Sequence, residues 1–441
     1  MRKLCLAASL CILLGCSPLM AQSEGLALTI RNIYGPHGLT LPNPSHNAHF
    51  DSDFEASFNP LNSNIATQLT LLPLISPAAG FVYEFDRSLG VPVRSENQSF
   101  GSILTERGET VGKNRFLFGF AYQRFDFQTM DGLDLQNFGT VYHHVATASP
   151  YGADFITANN KINLTINQFT PYFTLGVTNR IDVSVAIPVL NVSLNMTSAA
   201  TIHRIAANNP ATPGTINGEA HFFDINDTAN SVQKTFTNSS SASGIGDTVV
   251  RVKGNVWKGE TAALAVVADL RAPTGDAMNL LGSGAIGFKP FMAFSFHKSR
   301  FSPHVNAGYE WNGDSVLAGD VTTLTKAHLP NQFIYAAGTS VRASKAITLA
   351  FDILGQRVID GRQAKTSVFT SANSRSDATV TDFTDVSFSS SSFNIVNGAA
   401  GIKLSPPKAK NLLVTVNALF KLNDAGLRAK VVPLVGFSYT F

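Results

Sequence analysis

From about residue 79 to the C-terminus the chain repeats one pattern: apolar and polar side chains alternate over segments of roughly 9 to 17 residues, and the connections alternate short with long. Successive side chains of a strand point to opposite faces, so this period of two reads as strand after strand. Phe301, Pro303, Val305, Ala307, Tyr309 and Trp311 share one face of the clearest segment, against Ser302, His304, Asn306, Gly308 and Glu310. About fourteen such segments lie near 79–87, 100–112, 115–129, 161–177, 181–197, 244–257, 261–274, 284–297, 300–312, 332–343, 346–360, 393–406, 411–422 and 429–441. Tight connections rich in Asn, Gly, Lys and Pro, such as Lys258 to Glu260 and Pro407 to Lys410, suit turns. Long polar ones span 130–160, 198–243, 313–331 and 361–392. The expected fold is all-β: a transmembrane antiparallel β-barrel of about fourteen strands, with short turns at one end and long loops at the other. A band about 25 Å tall, crossed at roughly 40° with about 3.3 Å per residue, needs on the order of 10 residues per strand, which these segments supply. A soluble sandwich shows the same period, but it buries its apolar face and needs no asymmetry of loops.

Composition narrows the partners. Charged residues make up 14% of the 441, against about 25% in ordinary globular domains. A hydrophobic content of 44% with 32 Phe excludes a disordered chain. Arg2-Lys3, the apolar run Leu4 to Gly15 and the small residues before Gln22 have the zones of an export signal, so residues 1–21 are expected to be a leader cleaved after Ala21. Leu13-Leu-Gly-Cys16 resembles a lipobox and offers a lipoprotein signal as the alternative. Without Arg2 and Lys3 there remain 31 basic and 30 acidic groups, a balance that does not suit nucleic acid. Cys5, Cys11 and Cys16 all precede the expected cut, which leaves no thiol chemistry beyond it.

Residues 22–78 carry Pro42, Pro44, Pro60, Pro73 and Pro77 and no run of membrane-crossing length. They are expected to fold into the lumen as a plug, because Ile65 to Leu74 is too apolar for water; a periplasmic tail is the alternative. Residues 79–441 then form the barrel. At the other end Phe437, Tyr439 and Phe441 alternate with Gly436, Ser438 and Thr440, a pattern that resembles the signal by which bacterial barrels are recognised by their insertion machinery. Outer-membrane lipid is the expected surrounding.

The polar face supplies the candidate site. Asp247, Arg251, Lys253, Asp269, Arg271, His304, Asn306 and Glu310 are expected to line the lumen. With Lys258 to Glu260 as the turn, Arg251 falls near Val267 and Asp247 near Arg271, an ion-pair ladder. The glycines of Gly244 to Lys253 open a strand with no helix after them, which excludes a nucleotide site, and no cofactor is expected. Ser302 near His304 lacks an evident acidic partner, so no catalytic residue is assigned. His143-His144 and His221 to Asp227 lack ligand spacing, and no metal site is assigned. In 161–177 the apolar parity switches from Ile162, Leu164 and Ile166 to Pro171, Phe173 and Leu175, and in 181–197 it switches near Pro188. Facing bulges there would open a lateral exit for apolar solutes at Pro171 and Pro188.

Gly244-Ile-Gly-Asp-Thr-Val-Val-Arg-Val-Lys253, Asp269-Leu-Arg-Ala-Pro-Thr-Gly-Asp276, Gly282 to Phe291 and Pro303 to Gly313 resemble the outer-membrane transporters of the phenol meta-pathway degradation family, as do Phe100 to Arg107 and Phe125 to Leu135 upstream. That family is similar in turn to the fatty-acid and hydrocarbon channel barrels. The resemblance implies fourteen strands, an N-terminal hatch, passive uptake of small hydrophobic or aromatic compounds, and no catalytic residue. A general diffusion porin, a structural or adhesion barrel with closed lumen, and a lipid-hydrolysing barrel are the alternatives. A porin would show clustered lumenal charges and no plug.

Overall fold

The computed structural model describes residues 25–44, 46–47, 50–51, 58–72, 81, 83–86, 91–94, 99–144, 154–204, 220–371, 381–409 and 411–441. The expected leader, residues 1–21, lies outside them. Among the described residues twelve strands form one closed antiparallel sheet. They are β1 (Phe116–Met130), β2 (Phe155–Gly176), β3 (Ile181–Ala186 continued by Val189–His203), β4 (Gln233–Ile245 continued by Thr248–Lys258), β5 (Ala262–Ala272) and β6 (Gly287–Phe296). The remainder are β7 (Phe301–Asn312), β8 (Gln332–Arg342), β9 (Ile347–Thr370), β10 (Asp382–Leu404), β11 (Leu412–Lys421) and β12 (Leu427–Ala429 continued by Val431–Thr440). Each pairs with the next, and β12 returns to β1 with Leu434 opposite Gln123 and Thr440 opposite Leu117. Closure leaves the sheet no free edge.

The expected count of fourteen is corrected to twelve. Part of the first missing segment forms a small separate hairpin, Tyr83–Asp86 with Val91–Arg94. The second, 100–112, runs inside the barrel without strand structure. Glu106, Arg107 and Glu109 put three charges within four positions, on both parities, so this segment has no apolar face to turn outward.

On the lower half of the barrel, toward the tight turns, the outward side chains are apolar: Phe173, Leu175, Val252, Met292, Val305, Ile402 and Val435 are each 38% to 51% exposed. Many of the inward ones are polar, among them Thr174, Ser184, Lys253, His304, Lys403 and Asn417, all buried. Higher up the two faces exchange character. Ile156, Ile162, Leu164, Ile166, Val192, Leu194 and Met196 point inward and are buried, while Asn163, Asn167, Asn191 and Asn195 point outward.

No bulge causes this exchange. In β2 inward and outward positions alternate without a break. Its pairing with β3 keeps one register from Phe155–His203 through Phe169–Val189 to Gly176–Asp182. Ile187 N–H donates to Pro171 O at 3.1 Å. Between β2 and β3 the facing bulges expected at Pro171 and Pro188 are therefore absent, and the lateral exit that rested on them loses its basis; the one extra residue at this height lies in β4, where Gly246 to Thr248 oppose Ile187 and Pro188. The parity switch marks a change of surroundings: below it the outer face is greasy, above it the strand stands clear of that belt and its outer face is wet. The strands accordingly outrun the expected segments, and parts of the expected loops 130–160, 198–243 and 361–392 are strand continuations, as in Gly361–Thr370 against Asp382–Ser391.

The N-terminal segment occupies the upper interior. The helix α1 (Phe58–Thr70) carries Pro60 in its first turn, where no helical N–H is required. Leu61, Ile65, Ala66 and Leu69 form its apolar stripe, yet Asn62, Ser63, Asn64 and Thr67 are buried as well. A helix buried all round must satisfy its polar side chains inside the protein: Asn62 Nδ2 donates to Ala27 O at 3.0 Å and Thr67 Oγ1 to Ser63 O at 2.8 Å. Leu26, Ile30, Ile33, Leu39 and Leu41 join α1 in one apolar cluster with Phe125, Ile162, Leu164, Val192, Leu194 and Leu317.

If the greasy belt ends where the faces exchange, two outward positions of β2 will respond differently. Phe173→Arg is expected to cost about 2–4 kcal/mol on refolding into lipid vesicles, and Asn163→Arg less than about 0.5 kcal/mol, read as urea unfolding midpoints of the vesicle-inserted protein.

Candidate functional site

The lower lumen is closed by residues 99–112, which the barrel's inward side chains hold mostly by backbone atoms. Val111 N–H donates to Asp182 Oδ2 of β3 at 2.9 Å, and Gly108 N–H to Ser295 Oγ of β6 at 3.1 Å. Asn306 of β7 binds both backbone groups of Glu106, accepting from its N–H at 2.8 Å and donating to its carbonyl at 2.7 Å. From β4, Asn255 Nδ2 donates to Gly108 O at 2.7 Å. Thr348 of β9 accepts from Phe100 N–H at 3.0 Å, and Lys403 Nζ of β10 donates to Phe100 O at 3.1 Å and to Ser102 O. The segment lies so close to the wall that a Cβ at Gly108 would stand 2.4 Å from Ala263 O, and one at Gly176 1.8 Å from Gly112 O.

Charge complements this lattice. Arg251 grips Asp269 in a two-pronged pair, Nε to Oδ1 at 2.6 Å and Nη2 to Oδ2 at 2.8 Å, and its Nη1 reaches Glu106 Oε2 at 2.6 Å. Lys253 Nζ donates to Glu106 Oε1 at 3.0 Å and to the carbonyls of Arg107 and Glu109. Arg271 pairs with Glu310 Oε1 at 2.6 Å, and Lys289 lies 3.3 Å from Asp269. The expected register is corrected here. Arg251 stands opposite Asp269 and Arg271 opposite Val249, because Gly259 N–H closes the turn on Ala262 O and Val256 is bulged out of β4. Asp247 still meets Arg271, at 3.8 Å. It sits where Gly246 to Thr248 oppose only Ile187 and Pro188, and its carboxylate accepts from Gly275 N–H at 3.1 Å and Ser283 N–H at 2.8 Å.

Between the 99–112 segment and the end of α1 lies a cavity of about 160 Å³. Leu69, Leu72, Leu104, Leu190, Phe291, Ile334 and Leu354 give it apolar walls; Arg251, Asp269, Arg271, Lys289 and Glu310 line one side with charge. A cavity of roughly 150 Å³ accommodates a benzene-sized ring. The charged side offers paired donors and acceptors to a polar substituent on such a ring.

All eight expected lumen residues point inward, and all but His304 and Lys253 line this cavity. His304 Nε2 lies 2.7 Å from Asp352 Oδ1, which also accepts from Thr105 Oγ1 at 3.1 Å. Sequence reasoning missed the other half of the lattice: Glu106, Glu109, Asp182, Asp352 and Lys403. The charge density of 106–109 was the signal for it. Glu109 also provides the acid that the Ser302 region lacked in sequence, through His297, whose Nε2 meets Glu109 Oε1 and whose Nδ1 lies 3.3 Å from Ser302 Oγ. The imidazole is turned the opposite way from a hydrolase triad, and Ser302 Oγ accepts from Ser99 at 3.1 Å. These groups tie the segment to β6 and β7. Pro171 falls opposite Ile187 and Pro188 opposite Thr170, and Phe437, Tyr439 and Phe441 point outward beside Phe116 and Phe118 at the β1–β12 seam.

The class is a closed antiparallel β-barrel with a greasy outer belt and a lumen filled by its own chain. Residues 148–383, more than half of the chain, match the family described as "Putative MetA-pathway of phenol degradation", and the protein belongs to that family. It is also similar in fold to an outer membrane channel from Pseudomonas putida F1, at 12% identity over 76% of this chain and 98% of that chain with a TM-score of 0.45. The CymD monoaromatic hydrocarbon channel is similar at 8% identity over 75% and 89% of the two chains, TM-score 0.35. A Pseudomonas aeruginosa FadL homologue is similar at 8% over 75% and 90%, TM-score 0.32. No curated protein matches the sequence.

Glu106→Gln breaks a buried charge cluster at its shared member and is expected to cost about 3–5 kcal/mol, read as the unfolding midpoint in vesicles. Burial pushes the Glu109 carboxyl up, but the hydrogen bond and charge of His297, with Arg107 and Ser295, outweigh it and hold the group at about 2 against an ordinary 4.5. A lowered carboxyl stabilises fully above its ordinary value and loses that contribution as pH falls toward the folded one. Hydrogen exchange of the Gly108 to Val111 amides should therefore accelerate beyond its intrinsic pH dependence between pH 4.5 and about 2, and Glu109→Gln should flatten that excess.

Proposed function

We propose that this protein is an outer-membrane channel for passive uptake of small hydrophobic or aromatic compounds, with residues 22–78 as its hatch. The observation that carries the reading is the cavity of about 160 Å³ held in the lumen between two folded-in segments, apolar on most sides and charged on one. A ring bearing a hydroxyl or carboxylate suits both kinds of wall. Membership of a family named for phenol degradation supports an aromatic solute. A closed sheet whose outward side chains are apolar over the lower half supports insertion in a bilayer, since it leaves no backbone group unpaired toward hydrocarbon. Among the described residues no helix is long and apolar enough to cross a membrane.

In this reading residues 1–21 export the chain, and Phe437, Tyr439 and Phe441 present the closing strand to the insertion machinery. The tight turns and both ends of the barrel face the periplasm, and the tall β2–β3 and β9–β10 extensions face outward. The 99–112 segment is the inner floor, and the N-terminal segment the outer cover.

Flux into proteoliposomes tests it. Uptake of radiolabelled phenol or toluene is expected to rise several-fold on deletion of residues 22–60 and to fall several-fold in Leu72→Trp, which fills the cavity from the end of α1. Sugar and ion leakage equal to the aromatic flux would instead indicate a general porin.

A further inference from the structure

Three histidines distant in sequence meet at the upper rim. His46 comes from a turn of the N-terminal segment, His144 ends the short strand Phe138–His144, and His221 lies in the connection between β3 and β4. One ring nitrogen of each lies within 4.8 Å of those of the other two. The rings stand edge-on, His46 to His221 at 4.9 Å and 88° and His144 to His221 at 5.3 Å and 62°. Edge-on crossing is how imidazoles converge on a shared point rather than stack. His144 and His221 are 3% and 0% exposed. Phe50, paired in the sheet with His144, covers both rings at 5.5 and 4.9 Å.

A second group acts behind the first. The buried Asp154 carboxylate lies 2.7 Å from His221 Nδ1. A carboxylate there fixes the ring with its proton on Nδ1, so that Nε2 carries the lone pair toward the other rings. This is the arrangement that outer carboxylates impose on metal-binding histidines.

We propose that His46, His144 and His221 bind a transition-metal dication of the zinc class, and that the ion staples the N-terminal segment to the barrel rim. Three nitrogen donors with no carboxylate among them suit Zn2+ and its borderline neighbours better than Mg2+ or Ca2+. Three protein ligands leave a fourth position for water. Metal–nitrogen bonds of about 2.0–2.1 Å in a tetrahedron place donor nitrogens about 3.4 Å apart. Closing from 4.8 Å therefore takes side-chain rotation, and His46, the least buried of the three, is the ring placed to move. The staple consequence rests on the hatch reading above; the site itself does not.

The test uses the full-length barrel in detergent, stripped with chelator and titrated with ZnCl2 by calorimetry. One Zn2+ per chain is expected, with affinity lowered at least about 100-fold in His46→Ala and about 10–100-fold in Asp154→Asn. Heat-modified gel migration verifies that each variant barrel is folded, and the tetrahedral Co2+ absorption of the substituted protein reports three-nitrogen ligation. Absence of stoichiometric binding overturns the proposal, as does unchanged binding in the folded His46→Ala, Asp154→Asn double variant. Aromatic flux slowed several-fold by Zn2+ in the native protein, but not in His46→Ala, supports the staple. Zinc binding with unchanged flux overturns the staple and leaves the transport reading standing.

Discussion

Each backbone amide of a sheet in hydrocarbon has to find its partner within the sheet, because no water is available to replace it. The pairing of β12 with β1, Leu434 with Gln123 through Thr440 with Leu117, meets that demand for both edges of the sheet at once. Everything else in the molecule follows from the cylinder this pairing closes. Once closed, every strand has an inside and an outside, and the period of two sends half of all side chains into a confined space that must be filled. In the upper half α1 and the residues before it fill that space with apolar packing. In the lower half many inward side chains are hydroxyl, amide or charged, beside apolar ones such as Leu117, Ala121 and Leu434, and a polar guest satisfies the polar ones.

The 99–112 segment is that guest. Lumenal Lys, Arg, Asp and Glu at this depth would be costly without partners, and an extended chain supplies a donor and an acceptor at every residue. Lys253 and Lys403 spend their ammonium protons largely on its carbonyls, while Asp182 accepts from Val111 N–H. Barrel and segment therefore stabilise one another. Much of what resembles an ion-pair ladder along the wall is a socket for this backbone.

The barrel was legible because a period of two survives any choice of partner. Val305 and Trp311 are outward and His304 and Glu310 inward, as the alternation requires. Register was less so: a bulge at Val256 and a turn closed on Ala262 moved Arg251 from Val267 to Asp269, and neither leaves a mark in hydropathy. The strand ends above the belt resemble loops in sequence because their outward face turns to Ser, Thr and Asn, as in Ser239, Ser241 and Ser243. Where the outer solvent changes from lipid to water, the polarity code inverts while the strand goes on. The parity switches near Pro171 and Pro188 are that inversion, and a bulge would be required only if one solvent surrounded the whole strand. The meeting of His46, His144 and His221 depends on a turn, a strand end and a loop docking together, which no spacing encodes.

The two lumenal fillings differ in how they can move. Releasing residues 99–112 breaks hydrogen bonds to β3, β4, β6, β7, β9 and β10 together with the charge cluster around Glu106, and bonds to ionised groups are the strong ones. Releasing α1 breaks mostly apolar contacts, and beyond them chiefly single bonds such as Gln332 Nε2 to Thr70 Oγ1 at 2.9 Å. An apolar solute entering from above can replace those contacts one for one, since its own surface is of the same kind. It has nothing to offer the lower segment until it reaches the cavity, where Arg251, Arg271 and Glu310 first present charge. The cavity sits at the boundary of the two regimes: above it burial of apolar surface favours entry, and below it any further step must exchange ionic hydrogen bonds. A solute with one polar substituent is the kind able to do both.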